Sequence, residues 1–263
     1  QRLAALGVNG VWLQAVLQKL APFPYISENA TDREQRLKNL RALAQKAARH
    51  GIGIYLYLNE PRTMPQSFFT KHPDLKGVSM GDYASLCTSN PEVRQALTNA
   101  VAHITVAVPE LAGFFTISAS ENPTNCWSHG AGAKCPRCGK RSAGEVIAEV
   151  NTAFHNGILN ARKTVDTKAR LIAWDWGWGD DWAEEIIRRL PTEVALQSVS
   201  EWSIPIKRGG VDSVVGEYSI SLEPHLERSV GGLLPVDLHR FEDEGNTVSA
   251  DNAMGTGMKA LEL

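Results

Sequence analysis

The chain has 263 residues, 43% of them hydrophobic and 21% charged, with a formal net charge of −2. That length fits one α/β barrel or two smaller domains, and the balance supports a large core. With no long basic run and no apolar stretch approaching the roughly 18 residues that span a bilayer, neither nucleic acid nor a membrane is the expected partner.

The opening Gln-Arg-Leu-Ala-Ala-Leu-Gly reads as the last turns of a helix and its glycine stop. This beginning is expected of a truncated gene or a metagenomic fragment whose first strand is lost. Residues 8–13 then read as a short strand, and 33–50 as a helix with apolar residues at Leu37, Leu40, Leu43, Ala44 and Ala47. Gly51 stops it, and 52–58 is a strand ending in Asn59-Glu60-Pro61-Arg62. A long connection over 63–90 follows, of the kind that shapes a site on a rigid scaffold. Ser89 or Asn90 caps the next helix, with Pro91 in its first turn and its end near Val106.

Residues 113–122 begin apolar, β-branched and aromatic, as suits a strand buried on both faces, and end in small polar residues, Glu121 and Asn122. A Cys-rich loop insertion occupies 123–141, and 143–163 is an amphipathic helix. Residues 169–174 form a strand running into Asp175-Trp-Gly-Trp-Gly179, and a helix begins at Asp180. Residues 194–199 are a strand before Ser200-Glu201-Trp202, and 211–220 a strand carrying Glu217 and Tyr218. Past Leu222 the pattern fades, and 244–263 reads as an irregular tail. Strands alternating with helices at this spacing predict a single barrel domain over 1–263: a TIM (β/α)₈ barrel, lacking its first strand.

Charged residues at the C-terminal ends of barrel strands point into the active-site mouth. Glu60, Glu121, Asp175, Glu201 and Glu217 lie at successive expected strand ends. A rim of like charges raises carboxyl pKa values, as a general acid requires. Trp176, Trp178 and Trp202 near these carboxylates suggest a platform for the C–H faces of sugar rings. Trp12 reads equally well as core. Glycoside cleavage needs two carboxyl groups flanking the scissile bond, and such a rim provides them. There is no phosphate-binding glycine loop and no Ser nucleophile elbow.

Over residues 3–221 the chain resembles the retaining glycoside hydrolases of the large (β/α)₈ clan. These place an acid/base Glu beside an Asn after strand four and a nucleophile Glu after strand seven. Here Glu121 precedes Asn122, the reverse of the clan's order. Leu86-Cys-Thr-Ser-Asn-Pro-Glu-Val-Arg94 is similar to a segment of β-galactosidases, and the whole looks close to the β-galactosidase and hexosaminidase groups. The resemblance implies Glu121 as acid/base and Glu217 as nucleophile, with Glu201 the rival second carboxylate. Asn59, Arg62, Asn122, Asp175, Trp176, Trp178, Trp202 and Tyr218 would line the sugar subsite. The expected substrate is a small oligosaccharide or glycoside. The alternatives are a catalytically incomplete barrel that binds carbohydrate, dimerising to cover an open edge, and a metal-dependent hydrolase.

Four cysteines are present: Cys87, Cys126, Cys135 and Cys138. Cys126-x-x-His129 followed by Cys135-x-x-Cys138 offers four ligands suited to tetrahedral zinc, and a closed set of four marks a structural ion. Cys87 is the alternative to His129, and a Cys126–Cys135 or Cys126–Cys138 disulfide is the rival to the metal. Thiol-bound zinc would suit the bacterial cytoplasm better than secretion.

Overall fold

The computed structural model describes residues 2–26, 29–119, 122–197, 204–208 and 211–215. In chain order, the first elements are helix α1 (Arg2–Ala5), strand β1 (Gly10–Ala15), helices α2 (Leu17–Leu20) and α3 (Ala30–Ala48), and strand β2 (Gly53–Leu58). Short strands β3 (Met64–Pro65), β4 (Lys76–Met80) and β5 (Tyr83–Leu86) follow, then α4 (Pro91–Ala107), β6 (Gly113–Ile117) and α5 (Ala143–Arg162). The last are β7 (Arg170–Trp174), α6 (Asp180–Arg189), β8 (Ala195–Gln197), β9 (Ile204–Arg208) and β10 (Val211–Val215).

Local chemistry sets the helix starts. The Asn29, Asn90 and Ser142 side chains accept the N–H groups of Thr31, Glu92 and Glu145, and each of these helices carries an acidic residue in its first turn. Pro91 opens α4 where no intrahelical N–H is needed.

Five strands form a parallel sheet in the order β1-β2-β6-β7-β8. Successive strands of the main chain path are therefore neighbours, the consecutive winding of a βα-repeat protein. Residues alternate between two faces. Ile54, Leu56, Leu58, Phe114, Leu171, Ala173 and Leu196 pack with buried residues of the helices, including Leu97, Ile104, Ile147, Phe154 and Ile187. Tyr55, Tyr57, Phe115, Ile117, Ile172, Trp12 and Trp174 form a second, aromatic cluster on the opposite face. Trp12 meets Tyr57 and Phe115 at ring separations of 5.0 Å each, so it packs within this face.

Three expectations are corrected. The described strands make an open sheet and not a closed barrel. The connection after β2 is not a plain loop: β3, β5 and β4 pair as an antiparallel sheet over a small core of Phe69, Leu75, Ala84, Leu86 and Val93. The strand near Glu217, β10, pairs antiparallel with β9, a strand not assigned from the sequence, and not with the parallel sheet. Short strands with alternating polar residues can close a hairpin as readily as extend a sheet, and one strand's composition does not choose between them. The count that ends a seventh barrel strand at Glu217 does not follow from these pairings. The expected tail, 244–263, lies outside the described residues. Among the described residues no helix is long and apolar enough to cross a membrane.

Gly113 opens β6 where the backbone of β7 comes closest. A Cβ there would lie 2.0 Å from the Arg170 carbonyl oxygen. Gly113→Ala must therefore separate two central strands, and should destabilise the fold by more than about 3 kcal/mol. Urea unfolding of the wild type and variant, compared at equal slope, measures this.

Candidate active-site rim and thiol cluster

The C-terminal edge of the parallel sheet carries the first group of polar residues. Where β2 ends, Glu60 is 4% exposed. Its Oε1 accepts the Leu17 N–H and its Oε2 the Arg62 N–H, both at 2.9 Å. The carboxylate thus ties the segment after β1 to the turn after β2, a turn that includes a cis Glu60–Pro61 bond. Arg62 Nε lies 3.7 Å from Glu60 Oε1. Beside it, buried Asn59 donates its amide to the Tyr57 hydroxyl at 2.7 Å. Burial pushes the Glu60 carboxyl up to about 7, against the opposing effects of the Leu17 N–H and Arg62.

Asp175, fully buried, follows β7, and its N–H donates to the Gln197 carbonyl at 3.1 Å, extending the β7–β8 ladder by one residue. Trp176 stacks on Trp174 at 5.8 Å and is partly buried. Trp178, expected in the sugar platform, is 3% exposed and packs in the main core. Its indole N–H donates to Ser118 Oγ at 3.2 Å. The Gly177 turn, with φ of 78°, lets the chain fold back so that this ring points inward.

Beyond β6, Ser118 gathers the surrounding loops. Its carbonyl accepts the Thr124 hydroxyl at 2.8 Å and also the Asn125 amide. Its Oγ accepts the Asn151 amide of α5 at 3.1 Å as well as the Trp178 indole. Asn151 Oδ1 in turn accepts the Thr116 hydroxyl at 2.7 Å. Asn125 Oδ1 accepts the Trp127 N–H at 2.7 Å. Asn122 is exposed within the loop so held. Glu121, Glu201, Trp202, Glu217 and Tyr218 lie outside the described residues. Of the expected rim, the structure brings Asn59, Glu60, Arg62, Asp175 and Trp176 to one edge of the sheet. The Ser118–Asn151–Asn125 scaffold was missed. Its sequence signal was the run of small polar residues after β6, which reads as turn-forming and carries no long-range pairing.

The second group is the cysteines. All four are free thiols and buried, which excludes the expected disulfide alternative in this structure. Their sulfurs lie within 4.8 Å of one another, an arrangement able to hold a metal ion. Cys87 Sγ is 3.7 Å from Cys135 Sγ and 3.6 Å from Cys138 Sγ. His129 is not in the cluster: it is exposed, at φ of 56° in the left-handed region, where the chain turns its side chain outward. Cys87, which directly follows β5 and Leu86, takes the fourth place. The thiol of Cys87 is held well below the usual cysteine range by hydrogen bonds from Cys126 and Cys138 and by the Arg137 guanidinium.

No family model matches this sequence, and no curated protein matches it. Among solved structures it is similar to a chitobiase from Flavobacterium johnsoniae, at 12% identity and a TM-score of 0.43, covering 99% of this chain and 48% of that one. It is also similar to a β-galactosidase from a Rahnella species, at 12% identity and a TM-score of 0.39, covering 74% of this chain and 35% of that one. The chain therefore spans about half or less of each of these proteins. At these TM-scores the likeness carries no inference about chemistry, which has to come from the residues themselves.

The raised pKa of Glu60 has a stability consequence. The folded state holds a proton between the ordinary carboxyl pKa and about 7, while the unfolded state has released it. Stability from this group is therefore greatest at acid pH and falls as pH rises through that window, by about 3 kcal/mol in all. Thermal melts from pH 5 to 8 should show this decline in the wild type and a flatter profile in Glu60→Gln.

Proposed function

We propose that the chain is a glycoside hydrolase acting on a small β-linked oligosaccharide or glycoside. The supporting observation is the polar, carboxylate-bearing C-terminal edge of a consecutively wound parallel sheet, with the loop carrying Glu121 anchored on both sides. Ser118 holds the loop three residues before Glu121, and Thr124 and Asn125 return to the Ser118 carbonyl just after it. A loop pinned at both ends limits the orientations available to a carboxylate between them, which is what positioning for catalysis needs.

In this reading Glu121 protonates the leaving oxygen of the glycosidic bond. Glu217 attacks the anomeric carbon to form a glycosyl-enzyme, with Glu201 the other candidate for that role. Glu121 then removes a proton from the water that releases the sugar, so the anomeric configuration is retained. Asn59, Arg62, Asn122, Asp175, Trp176, Trp202 and Tyr218 line the sugar subsite. Trp178 contributes from the core, by holding Ser118. A zinc ion belongs to this reading as a structural cofactor that braces the loop, not as a participant in the chemistry.

The test is hydrolysis of a panel of nitrophenyl β-glycosides. Glu121→Gln should lower kcat/KM on substrates with poor leaving groups by about 10²–10⁴-fold. Added azide should restore turnover of activated substrates by that variant and yield a β-glycosyl azide. The nucleophile variant, Glu217→Gly or Glu201→Gly, should instead yield the α-azide, which decides between the two. Sugar binding without turnover by the folded wild type would point to a carbohydrate-binding protein and sink the hydrolase reading.

A further inference from the structure

The four thiols come from two separate parts of the chain. Cys87 closes the antiparallel insert formed by β3, β4 and β5. Cys126, Cys135 and Cys138 come from the loop that follows β6, which is built from short 3₁₀ turns at Ser128–Lys134 and Cys138–Lys140. They meet in a small buried cluster with Val78 and Val146, against Trp127 and Ala131. A tetrahedron with Zn–S bonds of about 2.3 Å has S···S edges of about 3.8 Å. The Cys87 contacts of 3.7 and 3.6 Å match that edge, far longer than a disulfide bond.

Hydrogen-bond donors surround the sulfurs. Arg137 Nε lies 3.3 Å from Cys87 Sγ, and its guanidinium also donates to the carbonyls of Asp74 and Lys76, at 2.7 and 2.9 Å, fixing it in place. Ser89 Oγ lies 3.1 Å from Cys138 Sγ, and Ser85 Oγ 3.6 Å from Cys126 Sγ. Four thiolates around a dication carry excess negative charge, and donors aimed at sulfur offset it. Arg137 sits inside the Cys-x-x-Cys turn, so its cation is brought with the ligands. Gly77 completes the fit: a Cβ there would lie 2.5 Å from both Cys126 Sγ and Ser85 Oγ. Four buried sulfurs in an apolar cluster gain little as thiols, since S–H is a weak donor.

We propose that Cys87, Cys126, Cys135 and Cys138 bind one Zn²⁺ as a tetrathiolate clasp that ties the β3–β5 insert to the loop after β6, with Arg137, Ser85 and Ser89 as its outer donors. His129 is not a ligand. Deprotonation of the four thiols accompanies binding, so uptake releases protons and weakens at low pH. Because Cys126 follows Asn125, which is bound to Ser118, the clasp holds the same loop that carries Glu121. Only this last consequence rests on the hydrolase reading; the metal site stands without it.

Protein purified without chelator should contain one zinc per chain by elemental analysis, and all four cysteines should resist alkylation until the metal is removed. Cobalt replacing zinc should give intense near-ultraviolet thiolate charge-transfer bands and the red-region bands of a tetrahedral site. Cys87→Ser should weaken cobalt affinity ~100-fold or more and reduce the charge-transfer intensity, while His129→Ala should leave both within a factor of two. Should Cys87→Ser fail to fold, Gly77→Ala provides the second test, with weaker cobalt binding expected from crowding at Cys126. Wild-type protein that carries no metal and takes up no cobalt overturns the proposal. So does iron in place of zinc, or an unchanged cobalt spectrum in a folded Cys87→Ser. Silence toward glycosides with the zinc in place would sink the hydrolase reading alone.

Discussion

Ser118 is the point on which the site side of the fold depends. It is fully buried one residue past β6, where the parallel ladder can no longer satisfy its backbone. Its carbonyl and hydroxyl accept from four side chains, belonging to the loop after β6, to α5 and to the turn after β7. One small residue therefore joins three segments: its carbonyl holds the loop after β6, and its hydroxyl reaches α5 and the turn after β7. An apolar residue at this position would leave the Asn151 amide and the Trp178 indole without these bonds, and buried donors without acceptors are costly. The network explains why Trp178 points inward and why Thr116 and Asn151 are polar inside an otherwise apolar layer.

The thiol cluster extends the same logic outward. Asn125 is held by Ser118, and Cys126 is its immediate neighbour. The loop is thus bound first to the core by hydrogen bonds and then meets the insert at the four thiols. Arg141, just beyond the Cys-x-x-Cys turn, continues the chain of attachments: it meets Glu145 and Glu149 of α5 at 2.6 Å each and Ser89 at 3.0 Å. These ion pairs are partly exposed, so each contributes modestly, but Ser89 links them to the sulfur site. A segment rich in short turns, with little core of its own, keeps one conformation through such ties.

Much of the repeat was legible in the chain because parallel strands buried on both faces leave continuous apolar runs. The segments at β2, β6 and β7 stand out for that reason, and the cap at Asn90 marks α4 through purely local hydrogen bonding. The insert after β2 was not legible, since strands as short as β3 and β5 show too little alternation to separate them from loop. The pairing of β10 with β9 was equally hidden, because a strand's partner is a property of another part of the chain. The inward turn of Trp178 was hidden too, as a Trp-Gly-Trp run fits a surface platform as well as a core.

The amino-acid sequence alone determined the alternation of helices and apolar strands, the polar residues at the strand ends and the knuckle spacing of Cys135 and Cys138, since each depends on neighbours within a few residues. Tertiary structure alone decided that Cys87 and not His129 stands with the other thiols. It also decided that Glu60 bridges the ends of β1 and β2, and that Ser118 gathers the loop after β6 with α5 and the turn after β7. Each of these is a meeting between segments 30 or more residues apart or a choice between facing in and facing out. Such choices are settled by which groups must be satisfied once water is excluded, a condition that exists only after the chain has packed.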